Sequence, residues 1–285
     1  MSLYTDIALE CASSTFKKNE SLLDYGCSES IINIDNAKKE KEFNKPKGEY
    51  YLLDCPNLNS LAPVVYDYIV EQVASYLKYK IKKLTNKDNV NVLVVCLGNE
   101  NVVSDSLGSE VFNKLITNTK VVGHSQLQEI KTSVFGKTGI NTAELTKSIT
   151  SITVPDVVVL IDSLCSKSIS RVGSSIQITD SGIVAGGAIG NSGKLINSNF
   201  LRCPTLAIGI PYVVRIETIL EEILGSLTEN KEFEEDKTIY NKIKNLLVTP
   251  KEIDAMVNLG SYILAGAINL AVLDLGIEEQ RLIKL

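Results

Sequence analysis

Residues 91–97 read NVLVVCL, a short apolar run that ends at Gly98-Asn99. A continuous run of this length is typical of a strand buried on both faces, as in a parallel sheet. A second run of the same kind, DVVVLI at residues 156–161, ends at Asp162. Segments with helical spacing lie between and around such runs. The alternation predicts an α/β fold, in which a mostly parallel sheet is covered by helices on both faces.

Periodicity and capping signals predict the remaining elements on either side of these runs. Asn141 and Glu144 have the spacing of a capping box, with Asn as a variant cap. Thr249 and Pro250 combine a cap with proline at the first helical position. The predicted helices cover residues 62–84, 105–117, 141–151, 214–228 and 250–273, and the further predicted strands cover residues 175–179 and 205–210.

The first 60 residues differ in character from the rest of the chain. They are polar and irregular, with a charged stretch, KKEKEFNKPK, at residues 38–47. We therefore expect an irregular or hairpin region over residues 1–60, followed by an α/β domain over residues 61–285. A chain of 285 residues can bury a large core, and we expect the two parts to form one compact unit.

Charge and cysteine usage restrict the classes of protein that the sequence can encode. The net charge is −5, from 29 Lys and Arg against 34 Asp and Glu, which argues against a nucleic-acid-binding surface. We expect no membrane helix, because no uninterrupted apolar run approaches bilayer length. The first ten residues lack the order of a secretion signal, and the six cysteines form no CxxC pair. These features predict a cytosolic protein with free thiols.

Several catalytic classes are unsupported by the residues that they would need. His124 is the only histidine, so a Ser-His-Asp or Cys-His arrangement would have to use it, and no HExxH zinc motif is present. Cys165 has no evident basic partner, and a passive thiol is the simpler interpretation. The glycine-rich residues 186–190 match no dinucleotide or Walker motif and are interpreted as a turn.

Two acids follow the strands where an α/β sheet places its ligands. Asp162 ends one predicted strand, and Asp105 follows Gly98-Asn99 by a short loop, so both should lie at the carboxyl ends of the strands. Either acid alone is readily explained as a cap or a structural residue. Together they permit peptide hydrolysis without a metal or another cofactor, because one carboxylate can take a proton from water while a protonated partner stabilises the oxyanion. Asn99 and Asp180, which also follow predicted strands, are secondary candidates.

Several segments resemble the germination protease family of endospore-forming bacteria, in the same order and over more than half of the chain. These segments are residues 93–108 (LVVCLGNENVVSDSLG), 136–145 (GKTGINTAEL), 155–167 (PDVVVLIDSLCSK), 174–183 (SSIQITDSGI), 206–214 (LAIGIPYVV), 246–257 (LLVTPKEIDAMV) and 265–272 (AGAINLAV).

The resemblance implies an atypical aspartic endopeptidase that degrades small acid-soluble spore proteins during germination, in the cytoplasm of the spore core. Its two proposed catalytic aspartates fall on Asp105 and Asp162, the pair already indicated by the strand ends. The resemblance also implies a fold similar to hydrogenase-maturation peptidases, an inactive precursor that cleaves itself, and a homo-oligomer, expected to be a tetramer.

The N-terminus resembles the pattern at which this family cuts: an acid, then a hydrophobic residue and Ala, with another acid further on. Residues 5–10 read TDIALE, so we expect self-cleavage between Asp6 and Ile7 and a pro-segment of six residues. The chain departs from the family pattern at two places. Arg215 stands where Asp is typical, and residues 184–191 lack the His-Pro-Gly motif. The connector at residues 229–245 is abbreviated.

Two other functions stay open at the level of sequence. One is a metal-dependent maturation peptidase of similar fold, with Asp105 and Asp162 as oxygen ligands and His124 as its only imidazole. The other is a spore protein that keeps the fold without catalysis, for which the departures at Arg215 and Val184 are the best support.

Overall fold

The structure is a computed structural model that describes residues 4–12, 20–56, 58, 62–118, 123–133, 138–184, 193–227 and 246–283. The described strands are β1 (Glu20–Leu22), β2 (Ser28–Ile34), β3 (Gly48–Asp54), β4 (Asn91–Cys96), β5 (Gln126–Lys131), β6 (Val157–Ser166), β7 (Ser175–Thr179), β8 (Ile183–Val184), β9 (Leu195–Ile196), β10 (Thr205–Arg215) and β11 (Leu247–Val248). The described helices are α1 (Ala37–Phe43), α2 (Pro63–Thr85), α3 (Leu107–Phe112), α4 (Thr142–Thr153), α5 (Ser198–Leu201), α6 (Ile216–Leu227), α7 (Ile253–Leu273) and α8 (Ile277–Ile283).

Within these ranges, nine strands form one sheet in the order β1-β2-β3-β7-β10-β6-β4-β5, with β11 added beside β10. The four strands β10, β6, β4 and β5 are parallel neighbours. Beyond them, β7, β3, β2 and β1 each pair antiparallel to the preceding strand. Strands β1 and β3 therefore share the direction of the parallel group, and most of the sheet runs one way. The predicted α/β class with a mostly parallel sheet is confirmed.

Alternate residues of the central strands face two different layers of helix. On one face, Val92 and Val94 of β4 join a core with α2, α3 and α7. On the other face, Leu93 and Val95 pack with residues of α4 and α5. This alternation follows from the period of two in a strand. It also divides β6, whose residues Val158 and Leu160 belong to the α4–α5 face.

The first 60 residues contribute more regular structure than their composition indicated. Strand β3 pairs with β7 through five residues, and β2 pairs with β3 through seven. The charged stretch that was predicted as a loop or hairpin forms α1, whose cap Asn36 accepts a hydrogen bond from the Lys39 N–H. Strand β3 joins the sheet through β7, which lies more than 100 residues further along the chain, and local sequence does not reveal such a pairing.

Four of the predicted boundaries are wrong. Strand β6 does not end at Asp162 but continues to Ser166, and β10 continues to Arg215, because each supplies the other with backbone partners beyond the end of β4. The helix expected over residues 105–117 is the shorter α3. Helix α7 begins at Ile253 without a side-chain cap, because the Thr249 hydroxyl instead donates to the carbonyl of Tyr212 (3.0 Å).

Helix α7 bears on the expectation about membrane spans. Among the described helices, it is long and apolar enough to cross a bilayer by length and composition, with a mean hydropathy of 1.7. However, 61% of its most apolar window is buried inside the protein, where it packs against α2 and α3. Packing in the core therefore accounts for this composition.

Candidate active site

Asp162 lies in β6 at the level where its neighbour β4 ends. Cys96, the last residue of β4, is paired with Ile161, and the Leu97 N–H still donates to the Ile161 carbonyl (2.8 Å). Asp162 is 2% exposed, and its Oδ1 accepts a hydrogen bond from the Ser163 N–H (2.9 Å). Its side chain shares the α4–α5 face with Leu160, because strand residues alternate between faces.

Asp105 is brought to the same end of β4 by a tight loop. The Asn99 N–H donates to the Asp105 carbonyl (3.0 Å), and the turn that contains Asp105 packs against β6 and β10. Gly98 has a φ of +112°, and a Cβ there would lie 2.1 Å from the Asp105 carbonyl oxygen and 3.6 Å from its carboxyl carbon. Only glycine allows this approach. The turn that carries Asp105 and the part of β6 that carries Asp162 therefore lie at the same end of β4.

The carboxyl group of Asp105 is held in an environment that disfavours its charge. It is 3% exposed, and its Oδ2 has no hydrogen-bond partner within the described part of the chain. Burial raises the pKa of Asp105 to about 6, and the backbone N–H of Asn99 opposes that rise only in part. A carboxyl group with such a pKa is half protonated in mildly acidic solution and can act as a hydrogen-bond donor.

A glycine opens a groove beside Asp162. Gly209 of β10 is paired with Asp162 on one side and with Gln177 of β7 on the other. A Cβ at Gly209 would lie 2.4 Å from the Asp162 carbonyl oxygen, so the position excludes any side chain. A cavity of about 210 Å³ lies over this point and is lined by Asp6, Leu164, Gln177 and Gly209, among others.

The N-terminal segment of residues 4–10 is bound along this groove. Asp6 exchanges two hydrogen bonds with Cys165 of β6, from the Asp6 N–H to the carbonyl and from the Cys165 N–H to the Asp6 Oδ2, each of 2.8 Å. Ile7 and Ala8 are fully buried against Leu164. Burial raises the pKa of Asp6, although Lys45 and Tyr4 oppose that rise. The predicted cleavage position therefore lies close along β6 to Asp162.

Gln177 holds the backbone on both sides of Ile7. Its Nε2 donates to the Asp6 carbonyl (3.0 Å), and its Oε1 accepts from the Ala8 N–H (2.8 Å). The carbonyl that Gln177 contacts belongs to the Asp6–Ile7 peptide bond. The sequence analysis did not select this residue, although an amide between Ile176 and Ile178 in a buried strand was a signal that could have found it.

Two of the departures from the family pattern, Arg215 and Val184, lie around the same segment. The guanidinium of Arg215 lies 4.7 Å from the centre of the Tyr4 ring and 3.7 Å from Glu217. Arg215 also lowers the pKa of Asp6, behind Lys45, Tyr4 and the Cys165 amide. Val184 pairs with Leu195 and lines the cavity. The glycine-rich loop at residues 186–191 and the connector at 229–245 lie outside the described residues.

The structure does not bring Asp180 to the other two acids. Strand β7 is antiparallel to β10, so the end of β7 points away from Asp162. Asp180 instead accepts hydrogen bonds from the Glu49 N–H (2.7 Å) and from Lys80 of α2 (2.8 Å). Asn99, the other secondary candidate, shapes the loop through its backbone, and its Oδ1 accepts from the Asn101 N–H (3.1 Å).

His124 and Cys165 occupy positions that do not suit nucleophilic catalysis. His124 precedes β5 and lines a cavity of about 800 Å³ formed with the C-terminal ends of α2 and α7, at the opposite edge of the sheet from Asp162. Burial raises the pKa of the Cys165 thiol to about 12, so it stays neutral. Among the described residues, no group of three or more His, Cys, Asp or Glu side chains is arranged to hold a metal ion.

The chain folds as an open α/β sheet with two buried acids, Asp105 and Asp162, at the end of β4. The model of the germination protease family matches residues 16–243. The chain belongs to the germination protease family, whose members are peptidases of spore germination.

Individual relatives agree with this assignment. The germination protease of Clostridium tetani is 30% identical over 312 residues, covering 95% of this chain and 96% of the relative. That of Caldanaerobacter subterraneus is 32% identical, covering 95% of this chain and 94% of the relative.

Among solved structures, the [NiFe] hydrogenase maturation protease HycI from Thermococcus kodakarensis is similar with 14% identity and a TM-score of 0.36, over 65% of this chain and 96% of that one.

Proposed function

We propose that the chain is an aspartic endopeptidase in which Asp105 and Asp162 act as a pair. Asp105 supplies the proton, because burial raises its pKa to about 6. Asp162, whose Oδ1 accepts a hydrogen bond from the Ser163 N–H (2.9 Å), takes a proton from the attacking water. The protonated Asp105 then donates a hydrogen bond to the oxyanion that forms on the peptide carbonyl.

The observation that carries this proposal is the position of the bound segment. Residues 4–10 lie along the groove beside Asp162, and the Asp6–Ile7 carbonyl is oriented by Gln177 (3.0 Å). A peptide bond that is held in a fixed orientation is favourable for hydrolysis. The segment supports self-cleavage between Asp6 and Ile7 in a precursor.

The names of the curated relatives support a role in spore germination. We extend this role to small acid-soluble spore proteins as substrates, to the cytoplasm of the spore core as the location, and to a homotetramer as the assembled form. Light scattering of the purified protein tests the last of these, since a monomer would contradict it.

Mass spectrometry of the purified protein, incubated with a small acid-soluble spore protein, tests the function. We expect cuts between an acid and a hydrophobic residue followed by Ala, together with loss of residues 1–6, in the wild type only. The Asp162→Asn variant is the matched control and should leave both chains intact. Intact substrate with the wild type at pH 5 and pH 7 would favour a protein without catalysis. Cutting that a chelator abolishes would favour a metal-dependent peptidase.

A further inference from the structure

The ring of Tyr4 lies in a recess at the start of the bound segment. It packs against Cys165 of β6 and Val213 of β10, which are paired neighbours in the sheet. The guanidinium of Arg215 lies 4.7 Å from the centre of the ring, and the Lys45 ammonium lies 6.0 Å from it. An aromatic ring attracts cations to its face at such distances. The recess around the ring therefore has an apolar floor and two positive charges.

Arg215 is positioned by the sheet and not by the segment. Its backbone pairs with Leu247 of β11, and its Nη1 lies 3.7 Å from Glu217 Oε1 at the start of α6. The side chain is 20% exposed, and its Nε has no hydrogen-bond partner within the described part of the chain. A guanidinium can stack on an aromatic face without using its hydrogen-bond donors. The ring of Tyr4 therefore suits this largely buried cation.

The hydroxyl of Tyr4 adds a polar contact to those of the ring. It donates to Asp6 Oδ1 (2.7 Å), while the Cys165 N–H donates to Asp6 Oδ2. Lys45 donates to the carbonyl of Thr5, which lies between the two residues in the chain (2.6 Å). Tyrosine at this position therefore helps to hold the acid that precedes the predicted cut, which phenylalanine, without a hydroxyl, cannot do.

We infer that Arg215 and Lys45 form, with the floor of the recess, a subsite that selects an aromatic side chain at the third residue before the cut bond. Tyr4 of the same chain occupies the subsite here. This inference rests on the proposed function, because it identifies the segment of residues 4–10 with the substrate. The substrate class is a peptide with tyrosine two positions before the acid at the cut, and a lysine at that position is disfavoured by the two cations.

Hydrogen exchange in the full-length Asp162→Asn variant tests the subsite without any need for catalysis. The readout is the protection of the amides of residues 6–8, which donate to Cys165, Thr5 and Gln177 while the segment is bound. In this host, Tyr4→Leu should lower the protection by about threefold to thirtyfold, because the contacts of the ring and the hydroxyl are lost. Tyr4→Lys should lower it by about tenfold to a hundredfold, because a third cation enters the recess.

Reversal of the charge at position 215 separates selection from simple support of the segment. With Arg215→Asp, the Tyr4 chain should lose protection, whereas Tyr4→Lys should gain about threefold to tenfold, because its ammonium then meets a carboxylate. A purely structural role of Arg215 would lower protection with either side chain at position 4. Arg281→Asp is the matched control, since Arg281 pairs with Asp67 and Glu278 on the surface, and it should leave the order unchanged.

A second variant keeps the test decisive if Arg215→Asp does not fold. Arg215→Met should then bring the protection with tyrosine and with leucine to within about threefold of each other, because the cation over the ring is removed. Equal protection with tyrosine, leucine and lysine in the host overturns the inference. So does an order of the three that every folded variant of Arg215 leaves unchanged.

Turnover separates this inference from the proposed function. Peptides of residues 2–12 with Tyr, Leu or Lys at position 4 compete for the wild-type enzyme, and mass spectrometry follows their cleavage. The Tyr peptide should have the highest kcat/KM, with most of the difference in KM, because the subsite does not touch the cut bond. A wild type that cuts all three equally well contradicts the subsite and leaves the protease intact. A wild type that cuts none, while the order in hydrogen exchange holds, contradicts the protease alone.

Discussion

Asp105 and Asp180 are both carboxyl groups beside the central sheet, but the fold surrounds them very differently. Asp180 is matched by Lys80 (2.8 Å) and by the Glu49 N–H (2.7 Å). Lys80 is 1% exposed and also binds the Glu49 carboxylate (2.9 Å). Asp105 is more deeply buried than Asp180, yet its Oδ2 has no hydrogen-bond partner among the described residues, and its pKa rises to about 6.

Asp180 therefore stabilises the fold, whereas the burial of Asp105 costs folding free energy. Structural carboxylates deep in proteins are normally matched by a cation and by amide donors. A carboxyl group that is buried without such partners weakens the fold once it ionises, and groups of that kind concentrate at functional sites. The comparison indicates that Asp180 stabilises the fold, and it supports the proposal that Asp105 takes part in the chemistry.

The largest expected effect is on peptide cutting. Asp105→Asn and Asp162→Asn should each lower kcat/KM by about 10²- to 10⁴-fold, because each removes a proton donor or acceptor from the reaction. Asp180→Asn should leave the rate per folded molecule unchanged. Initial rates on a small acid-soluble spore protein, with circular dichroism to confirm folding, measure all three. An Asp180→Asn variant that folds normally but cuts slowly would contradict the structural role of Asp180.

The next largest effect is expected on stability, at the cluster formed by Lys80, Glu49 and Asp180. Lys80→Met should lower the free energy of unfolding by about 3 kcal/mol, near the lower end for a broken buried ion pair because Glu49 and Asp180 keep some contact with water. Lys83→Met is the matched control, since Lys83 is exposed and lies 3.3 Å from the same Glu49, and its effect should be much smaller. Urea unfolding at pH 7 measures both, and equal losses would show that burial of Lys80 is unimportant.

A smaller effect of opposite sign is expected at Asp105. Its pKa is raised from 3.8 to about 6 by folding, so the native state is favoured while the carboxyl is protonated and loses that advantage as the pH rises through about 6. Asp105→Asn should therefore increase the free energy of unfolding at pH 7 to 8 by about 1 to 3 kcal/mol. The gain should vanish below pH 4, where the acid is protonated in both states. Unfolding curves from pH 3.5 to pH 8 measure it, and a pH-independent difference would contradict the raised pKa.

The smallest effect is expected at Gln177. Gln177→Leu should lower the rate of cutting at Asp6–Ile7 by about twofold to tenfold, because neutral hydrogen bonds to the backbone are lost. Thr179→Val provides the comparison, since Thr179 lies in the same strand and its hydroxyl bonds to Ser181. The time course of self-cleavage, followed by mass spectrometry, measures both variants. Equal rates in Gln177→Leu and wild type would show that the amide does not position the bond.

Apolar runs and helical periodicity correctly predicted the strands and helices that depend mainly on neighbouring residues in the sequence. The apolar runs before Gly98 and at Asp162 gave two neighbouring parallel strands, and residues 62–84 gave α2 almost to the residue. The two acids at the strand ends followed from that topology, since the loops after parallel strands meet at one edge of the sheet.

Pairings between distant segments were beyond the reach of such patterns. The direction of β7 depends on β3 and β10, which lie on either side of it in the sheet but far apart in sequence, so the displacement of Asp180 could not be foreseen. The extension of β6 past Asp162 depends on β10 in the same way. The contacts of Gln177 and Arg215 required the N-terminal segment to be seen in place, because each joins residues more than 150 positions apart.

The complete burial of Ile7 has a consequence for the direction of self-cleavage. Hydrolysis of the Asp6–Ile7 bond turns one neutral amide into a carboxylate and an ammonium group, in a place built to exclude water. In the proposed cleavage, the new ammonium group of Ile7 could not stay ionised among Ala8, Leu164 and their neighbours without heavy loss of hydration. That chain end would therefore have to swing outward to reach solvent, so that cutting would itself part the two ends and make religation improbable.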